Sequence, residues 1–347
     1  MPADLVSVVV VCTNEKEHLS VCLGSLRHQT HQNLEVILVD NGSTDGSREY
    51  VEAEHPWVRI HATGANLGYA PANNAGFAVA RGDYLVVLNP DTEVEPSFVS
   101  GLLEAFTDDG VGLATSRICL FGERSRVNAC GNHVHLTGIG FCRGLGEAVD
   151  RYTLPARLAS VSGCAFMVRR DVLERIGGFD DDYFIYVEDT DLSLRANLAG
   201  YRIAFAPGSI VYHKYRLRMT PRKFYLLERN RRLTLLKNFG WSTLAALLPP
   251  IWMTGILMWL YALLHGPAYL RAKVRAHAWI YANWRLILDK RGRTQALRAV
   301  GDRDLVMLLS ATLPADQVIG PGLLGRLVGV PMNLAYRLSA IPVRLLA

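Results

Sequence analysis

Four clusters of small polar residues each stand directly behind an apolar run. Thr13, Asn14 and Glu15 follow residues 6–12, while Asp40, Asn41 and Ser43 follow residues 34–39. Asn66, Gly68 and Asn73 lie in the stretch 64–74, and Asn89, Asp91 and Thr92 follow residues 84–88. Any one cluster could be an ordinary turn, because Asn, Asp, Gly and Ser are the common turn formers. Four of them behind successive strands mark instead the edge where an open parallel sheet binds a polar, phosphate-bearing ligand. Asp91 adds a specific chemistry, since a carboxylate at a strand end can hold a hard divalent cation that bridges phosphate oxygens.

A second group, Glu188-Asp189-Thr190-Asp191, follows the aromatic stretch Tyr183-Phe184-Ile185-Tyr186. A carboxylate against aromatic walls suits a general base, because desolvation raises its pKa. On a helix Asp189 and Asp191 would point roughly 200° apart, so they cannot face one ligand equally. An acidic first helical turn favoured by the helix dipole accounts for at least one of the three acids. Geometry alone leaves the choice of base open. His213, at the end of Ile210-Val211-Tyr212-His213, could ligate a metal or a phosphate, although a lone His is more often structural.

Other phosphate chemistries find no support. No Gly-x-Gly-x-x-Gly follows the first apolar run, and no Gly-x-x-x-x-Gly-Lys-Ser/Thr occurs. The six cysteines form no Cys-x-x-Cys pair and have no His at zinc-finger spacing. The N-terminal residues do not resemble a signal peptide, so the catalytic part is expected to face a reducing cytoplasm.

The elements that must position these groups alternate. Residues 6–12, 34–39, 58–61, 84–88 and 112–115 read as strands, and 17–28, 73–80 and 96–106 as helices. That alternation predicts an α/β fold with a mostly parallel, Rossmann-like sheet and flanking helices. Residues 118–158 lack periodicity and read as loops over the sheet. Residues 161–169, 202–206 and 210–213 read as further strands, and 189–199 as a helix. A basic helix follows at 221–239. The expected division is a catalytic domain at 1–220, with halves of about 1–117 and 118–220, and a helical region at 221–347.

Charge and hydropathy divide the chain in the same place. Residues 211–303 carry 18 Lys and Arg against 3 Asp and Glu, while the remainder carries 19 against 29. Half of the 347 residues are hydrophobic and the mean hydropathy is +0.14, which excludes a disordered chain and calls for an apolar contact surface. Residues 240–270 contain no Asp, Glu, Lys or Arg, hold Trp241, Trp252, Trp259 and Tyr261, and have basic residues on both flanks. This stretch exceeds the ~20 residues that span a bilayer. Basic clusters on both sides and Pro249-Pro250 favour a re-entrant or interfacial hairpin over a single span. Long apolar runs between the charges fit membrane lipid and not nucleic acid.

The ordered motifs Val-Val-Val-Val-Cys-Thr-Asn-Glu, Val-Asp-Asn-Gly-Ser-Thr-Asp-Gly-Ser, Asn-Leu-Gly-Tyr-Ala-Pro-Ala-Asn-Asn-Ala-Gly, Leu-Asn-Pro-Asp-Thr, Gly-Gly-Phe-Asp and Tyr-Val-Glu-Asp-Thr-Asp-Leu resemble the family 2 glycosyltransferases of GT-A fold, in their rhamnosyltransferase-like branch. The resemblance covers about residues 5–240. It implies an inverting enzyme that uses a nucleotide-sugar donor, UDP- or dTDP-linked, and Mg²⁺ or Mn²⁺. By that resemblance Thr13, Asn14 and Glu15 line the nucleotide pocket, Asp40 contacts the base, and Asn66, Gly68 and Asn73 border the ribose and diphosphate. Asn41 and Ser43 accompany Asp40. Asp91 matches the last acid of the family's Asp-x-Asp metal motif, with Asn89 where the first acid usually stands. Asp189 matches the catalytic base and His213 an additional metal ligand. The Gln-x-x-Arg-Trp signature of processive synthases is absent, and Glu228-Arg229-Asn230-Arg231-Arg232 stands in its place.

The resulting expectation is a single-addition, inverting, metal-dependent transferase of polysaccharide or cell-wall biosynthesis. It would act on a lipid-linked saccharide at the cytoplasmic face of the cell membrane, as a monomer or homo-oligomer. A nucleotide-sugar pyrophosphorylase is the alternative enzyme, but Cys12-Thr13-Asn14-Glu15 is not its glycine-rich basic loop. A non-catalytic membrane scaffold with a retained transferase fold is the alternative without chemistry.

Overall fold

The computed structural model describes residues 4–216, 218–314, 317 and 323–346. The chain forms two compact units. The first comprises residues 1–132, 142–196 and 201–217, and the second comprises 133–141, 197–200 and 218–347. A boundary at residue 220 therefore misses two short pieces, 133–141 and 197–200, that belong with the C-terminal helices.

The first unit begins as its apolar runs dictate. Strand β1 (Val6–Cys12) is buried at all seven positions, as a β-branched run covered on both faces must be. Helix α1 (Lys16–Leu26) buries Leu19, Cys22, Leu23 and Leu26. There follow β2 (Leu34–Asp40), α2 (Ser47–Glu54), β3 (Arg59–Ala62), α3 (Tyr69–Val79), β4 (Tyr84–Leu88), β5 (Thr92–Val94), α4 (Phe98–Leu103) and β6 (Val111–Leu120). The segment read as loops instead holds β7 (Glu123–Ala129), β8 (Asn132–Val134), β9 (Gly140–Cys142) and β10 (Arg157–Leu158). Apart from β7 these strands are only two or three residues long, too short to leave a periodic signature. Then come β11 (Ala165–Arg169), α5 (Arg170–Ile176), α6 (Glu188–Leu198) and β12 (Arg202–His213). The two short strands expected around Pro207-Gly208 are one, interrupted by a register shift between Ala206 and Ile210.

The main sheet runs β10-β12-β6-β11-β4-β1-β2-β3, with β5 added to β12 and β7 to β6. Parallel pairing joins β1 to β2 and β4, β2 to β3, and β12 to β6. The sheet is mixed, because β11 lies antiparallel between β4 and β6.

The second unit is helical: α7 (Pro221–Asn238), α8 (Trp241–Ala246), α9 (Leu248–Leu264), α10 (Pro267–Ala282), α11 (Trp284–Ala296), α12 (Asp302–Leu308) and a C-terminal helix (Leu323–Leu346). Among the described residues no helix is long and apolar enough to cross a membrane. The uncharged stretch is divided among α8, α9 and the start of α10. Pro249 and Pro250 open α9 in its first turn, where a proline is tolerated, and do not break it in the middle. Gly266, with φ of 97°, and Pro267 make the turn into α10.

Candidate active site

Strand register gathers the chemistry at one edge. Cys12 lies opposite Asp40, Val10 opposite Leu88, and Asp40 opposite Ala62, so the loops behind β1, β2, β3 and β4 emerge together. The antiparallel β11 begins at the same edge, with Ala165 opposite Leu88.

Those loops bond to one another. Asn41 donates from Nδ2 to Thr13 Oγ1 at 3.0 Å and to Asn66 Oδ1 at 3.3 Å, and its Oδ1 accepts the Leu67 N–H at 2.9 Å. Asn14, at φ of 58°, donates its N–H to Ser43 Oγ at 3.2 Å and accepts the Thr44 N–H at 2.7 Å. Asp40 accepts the Ser43 N–H at 2.9 Å, and Asn66 Oδ1 accepts the Gly68 N–H at 3.0 Å. A Cβ on Gly42 would come 2.7 Å from the backbone of Ala65, so only glycine lets the second and third loops meet. Thr13, Asn14, Asp40, Asn41, Ser43 and Asn66 are thereby one rigid floor. Asn73 stands apart: it is fully buried and donates to the Tyr69 carbonyl on its own helix at 2.9 Å. Its neighbour Asn74 clasps the Phe179 backbone from Nδ2 and Oδ1, at 2.8 and 2.9 Å.

Asp91 and His213 face each other, with His213 Nε2 3.3 Å from Asp91 Oδ1. His213 Nδ1 lies 2.7 Å from the carbonyl oxygen of the buried Asn128 side chain. A neutral ring that donates there from Nδ1 turns the Nε2 lone pair toward a carboxylate oxygen. Two such atoms require a proton or a cation between them. Burial opposes charge on His213, yet the adjacent Cys164 thiol and Asp91 carboxylate outweigh it and raise the imidazole to about 10. Glu15 is raised to about 7, first by burial and then by the nearby Asp91 charge, which brings the first loop to the same place. Among the described residues no three His, Cys, Asp or Glu side chains gather into a metal site. A nitrogen and a carboxylate still suit a cation whose remaining ligands are phosphate oxygens and water.

The three acids in sequence separate cleanly in space. Asp191 is sealed, accepting from Arg195 Nε at 2.9 Å and from the Tyr183 hydroxyl at 3.1 Å. Arg195 then donates to the carbonyls of Ile176, Gly177 and Gly178, so the Gly-Gly-Phe-Asp motif is a buttress. Asp189 is half-buried and accepts from the Gly163 N–H at 2.9 Å, the Thr190 N–H at 2.7 Å and Asn132 Nδ2 at 3.1 Å. Its pKa is raised by burial, against the pull of those donors. Glu188 is buried with Oε2 unpartnered, and burial followed by the Asp189 charge pushes it up to about 8. Burial thus disfavours charge on both carboxyls, and each ionised group raises the other.

The segment leading to these acids is strained: Phe184, Tyr186 and Val187 have φ of 62°, 72° and 72°, rare for residues with a side chain and most costly for the β-branched valine. The Ala70 N–H holds the Phe184 carbonyl at 3.1 Å. Gly68, at φ of 98°, leaves room for the Phe184 ring, since a Cβ there would come within 2.5 Å of it. The structure gives Gly68 this packing role.

Sequence reasoning missed Tyr69, Asn128, Asn132 and Gly163. The Tyr69 hydroxyl lies 2.8 Å from both Asn89 Oδ1 and the Gly163 carbonyl, and so couples the loop before Asp91 to the one holding Asp189. Tyr69 lay within a quoted motif. Asn128 and Asn132 lay in the stretch without periodicity, where no local signal marks them.

Comparison with known proteins agrees with this geometry. Residues 7–177 match the model described as glycosyl transferase family 2, and residues 143–219 match one described as the N-terminal domain of galactosyltransferase. The N-acetylglucosaminyl-diphospho-decaprenol L-rhamnosyltransferase of Mycobacterium tuberculosis is 31% identical over 233 residues, covering 60% of this chain and 76% of that protein. Among solved structures, GalNAc-T7 with UDP, GalNAc and Mn²⁺ has a TM-score of 0.57 at 20% identity, over 72% of this chain and 52% of that one. S. aureus TarS 1–349 in complex with UDP-GlcNAc has a TM-score of 0.55 at 16% identity, over 98% and 91%. The two structures share the GT-A fold. With its polar sheet edge, its Asp91–His213 pair and a rhamnosyltransferase relative aligned over three quarters of that relative's length, the chain belongs to glycosyl transferase family 2.

Proposed function

We propose that this glycosyltransferase moves a sugar, rhamnose in the first instance, from a UDP- or dTDP-linked donor to a lipid-linked saccharide, with inversion at the anomeric carbon. The observation that carries the reading is the isolation of Asp189. Of the three acids, one is locked to Arg195 and one is buried with an unpartnered oxygen, while Asp189 is half-buried and aligned by three donors. The relative's name supports the sugar and the acceptor, since it specifies rhamnosyl transfer to a saccharide on diphospho-decaprenol.

In this reading the rigid floor of Thr13, Asn14, Asp40, Asn41, Ser43 and Asn66, with Glu15 beside it, receives the nucleotide. Asp91 and His213 would hold Mg²⁺ or Mn²⁺, which supplies positive charge to the departing diphosphate. Tyr69 and Asn89 fix the spacing between that point and Gly163. The acceptor hydroxyl attacks the anomeric carbon from the face opposite the diphosphate. Asp189 takes its proton as the new glycosidic bond forms and the sugar–phosphate bond breaks. Glu188 is buried, and burial disfavours a second charge beside the departing anion. Basic flanks and the apolar stretch at 240–270 support work at the cytoplasmic membrane face, held there peripherally or by a re-entrant hairpin.

The test is to incubate the purified chain with a panel of nucleotide-sugars and a polyprenyl-diphosphate saccharide. Release of nucleoside diphosphate that depends on both substrates is expected. Release from no donor would end the enzymatic reading and favour the scaffold.

A further inference from the structure

The helical unit has an apolar core, with Leu233, Phe239, Leu305 and Val306 fully buried, but it also buries charge and exposes large apolar side chains. Its fully or nearly buried side chains include Lys273, Glu228, Arg231, Lys237, Asn230 and Asn238, while Trp252, Leu263, Leu264, Val330 and Leu345 are more than half exposed. In water the opposite distribution is the stable one.

The exposed residues are ordered. On α9, Leu248, Trp252, Ile256, Trp259, Leu260 and Leu263 recur at three- and four-residue intervals, and so form one stripe. On the C-terminal helix, Val330, Leu334, Leu338, Ile341 and Leu345 recur in the same way, within an arc of roughly 80° at 100° per residue. The opposite face of that helix is occupied: Met332 and Tyr336 pack with Leu313 against Met253 and Leu257 of α9. The Thr254 and Tyr336 hydroxyls lie 2.6 Å apart and pin the two helices together. Each helix thus spends one face on the other and shows a second apolar face outward.

Charge identifies what covers it. Residues 323–346 contain three arginines and no acid. Arg337 and Arg344 fall about 20–40° to one side of the apolar stripe, on the border between it and the polar flank. Residues 229–301 contain 12 Lys and Arg and one acid, Asp289. A second copy meeting this surface by a two-fold axis would set arginine against arginine, which disfavours self-association. An apolar stripe edged with arginine and flanked by tryptophan fits an anionic bilayer interface. Pro342 cannot donate to the Leu338 carbonyl, so that carbonyl needs water, available at headgroup depth and not in the hydrocarbon core.

We infer that α9 and the C-terminal helix together form a two-helix platform that lies in one leaflet of an anionic membrane, apolar stripes down and Arg337 and Arg344 at the phosphates. This rests on the membrane reading above and adds the second helix and its arginines to it.

The experiment uses the full chain and vesicles of phosphatidylcholine with or without about a third phosphatidylglycerol, read by co-sedimentation and by quenching of tryptophan fluorescence with brominated lipid. The wild type is expected to bind the anionic vesicles, with salt weakening it. Leu334→Glu/Leu338→Glu and Trp252→Glu/Ile256→Glu should each weaken binding roughly tenfold or more, with melting temperature unchanged because the sites are exposed. Arg337→Glu/Arg344→Glu should remove the preference for phosphatidylglycerol. If the wild type ignores both vesicles, the membrane reading and this inference fall together. If only the α9 variant loses binding, membrane contact stands and the two-helix platform is wrong. A lipid-independent dimer that the Leu334→Glu/Leu338→Glu variant dissociates would overturn it in favour of a second copy.

Discussion

The two units handle polarity in opposite ways. At the sheet edge of the first, the polar side chains are fixed by bonds among loops, as the buried Asn41 shows in reaching Thr13, Asn66 and Leu67. In the second, Glu228 is buried among Arg231, Arg232 and Lys273, while leucines and tryptophans face outward. The first arrangement serves a small polar ligand that must be met by pre-positioned groups. The second keeps charge where its partners are and leaves large apolar side chains on its exterior. Hydropathy alone therefore misreads the second unit, in which an uncharged stretch is partly surface and a basic helix is partly core.

The comparison can be broken at several points. The largest effect is expected at the proposed cation site: chelation by EDTA should abolish transfer and Mg²⁺ or Mn²⁺ should restore it, while Asp91→Ala should not be rescued. Full turnover in chelator would remove the role given to Asp91 and His213. Next is the buried charge cluster. Burial alone would raise Glu228, but Arg231, Arg232 and Lys273 hold it well below the ordinary glutamate value. Glu228→Gln strands three cations and should cost about 3–5 kcal/mol by chemical denaturation. That stabilisation is full above a pH of about 4.3 and drains as pH falls below it, since the folded-state value is the lower one.

A smaller effect is expected at Gly68→Ala, which combines an unfavourable φ with a clash against Phe184 and should cost about 1–3 kcal/mol. Its activity should fall further than its stability, because Phe184 begins the strained approach to Asp189. The subtlest is the pH profile of kcat/KM. Burial raises Asp189, so the acidic limb should lie above the ordinary aspartate value of about 3.9, with activity lost as pH falls through it. A limb at or below that value would mean the base is solvated.

Much of the first unit was legible because its signals are local. The all-buried β1 announces itself by valines, and each polar cluster stands behind a strand. What stayed hidden is long-range. Asp189 and Asp191 look alike in sequence, and only Arg195 on the next turn and Gly163 in the turn before β11 tell them apart. Asn132, Asn128 and the mixed pairing of β11 depend on contacts across the sheet. The packing of Gly68 was also hidden, because its partner Phe184 lies 116 residues away in sequence. In the second unit the uncharged run was visible, but not the turn at Gly266 or the outward stripe at residues 330–345.

The central claim is that Asp189, and not its neighbours, accepts the proton in sugar transfer. It is tested most directly by comparing Asp189→Asn and Asp191→Asn for turnover, donor affinity and melting temperature, with the donor that releases most nucleoside diphosphate. Asp189→Asn should lose roughly 10²–10⁴ in kcat with donor binding and melting temperature preserved. Asp191→Asn should lower the melting temperature through the broken pair with Arg195. Normal turnover by a folded Asp189→Asn, or a dead but fully stable Asp191→Asn, would contradict the account.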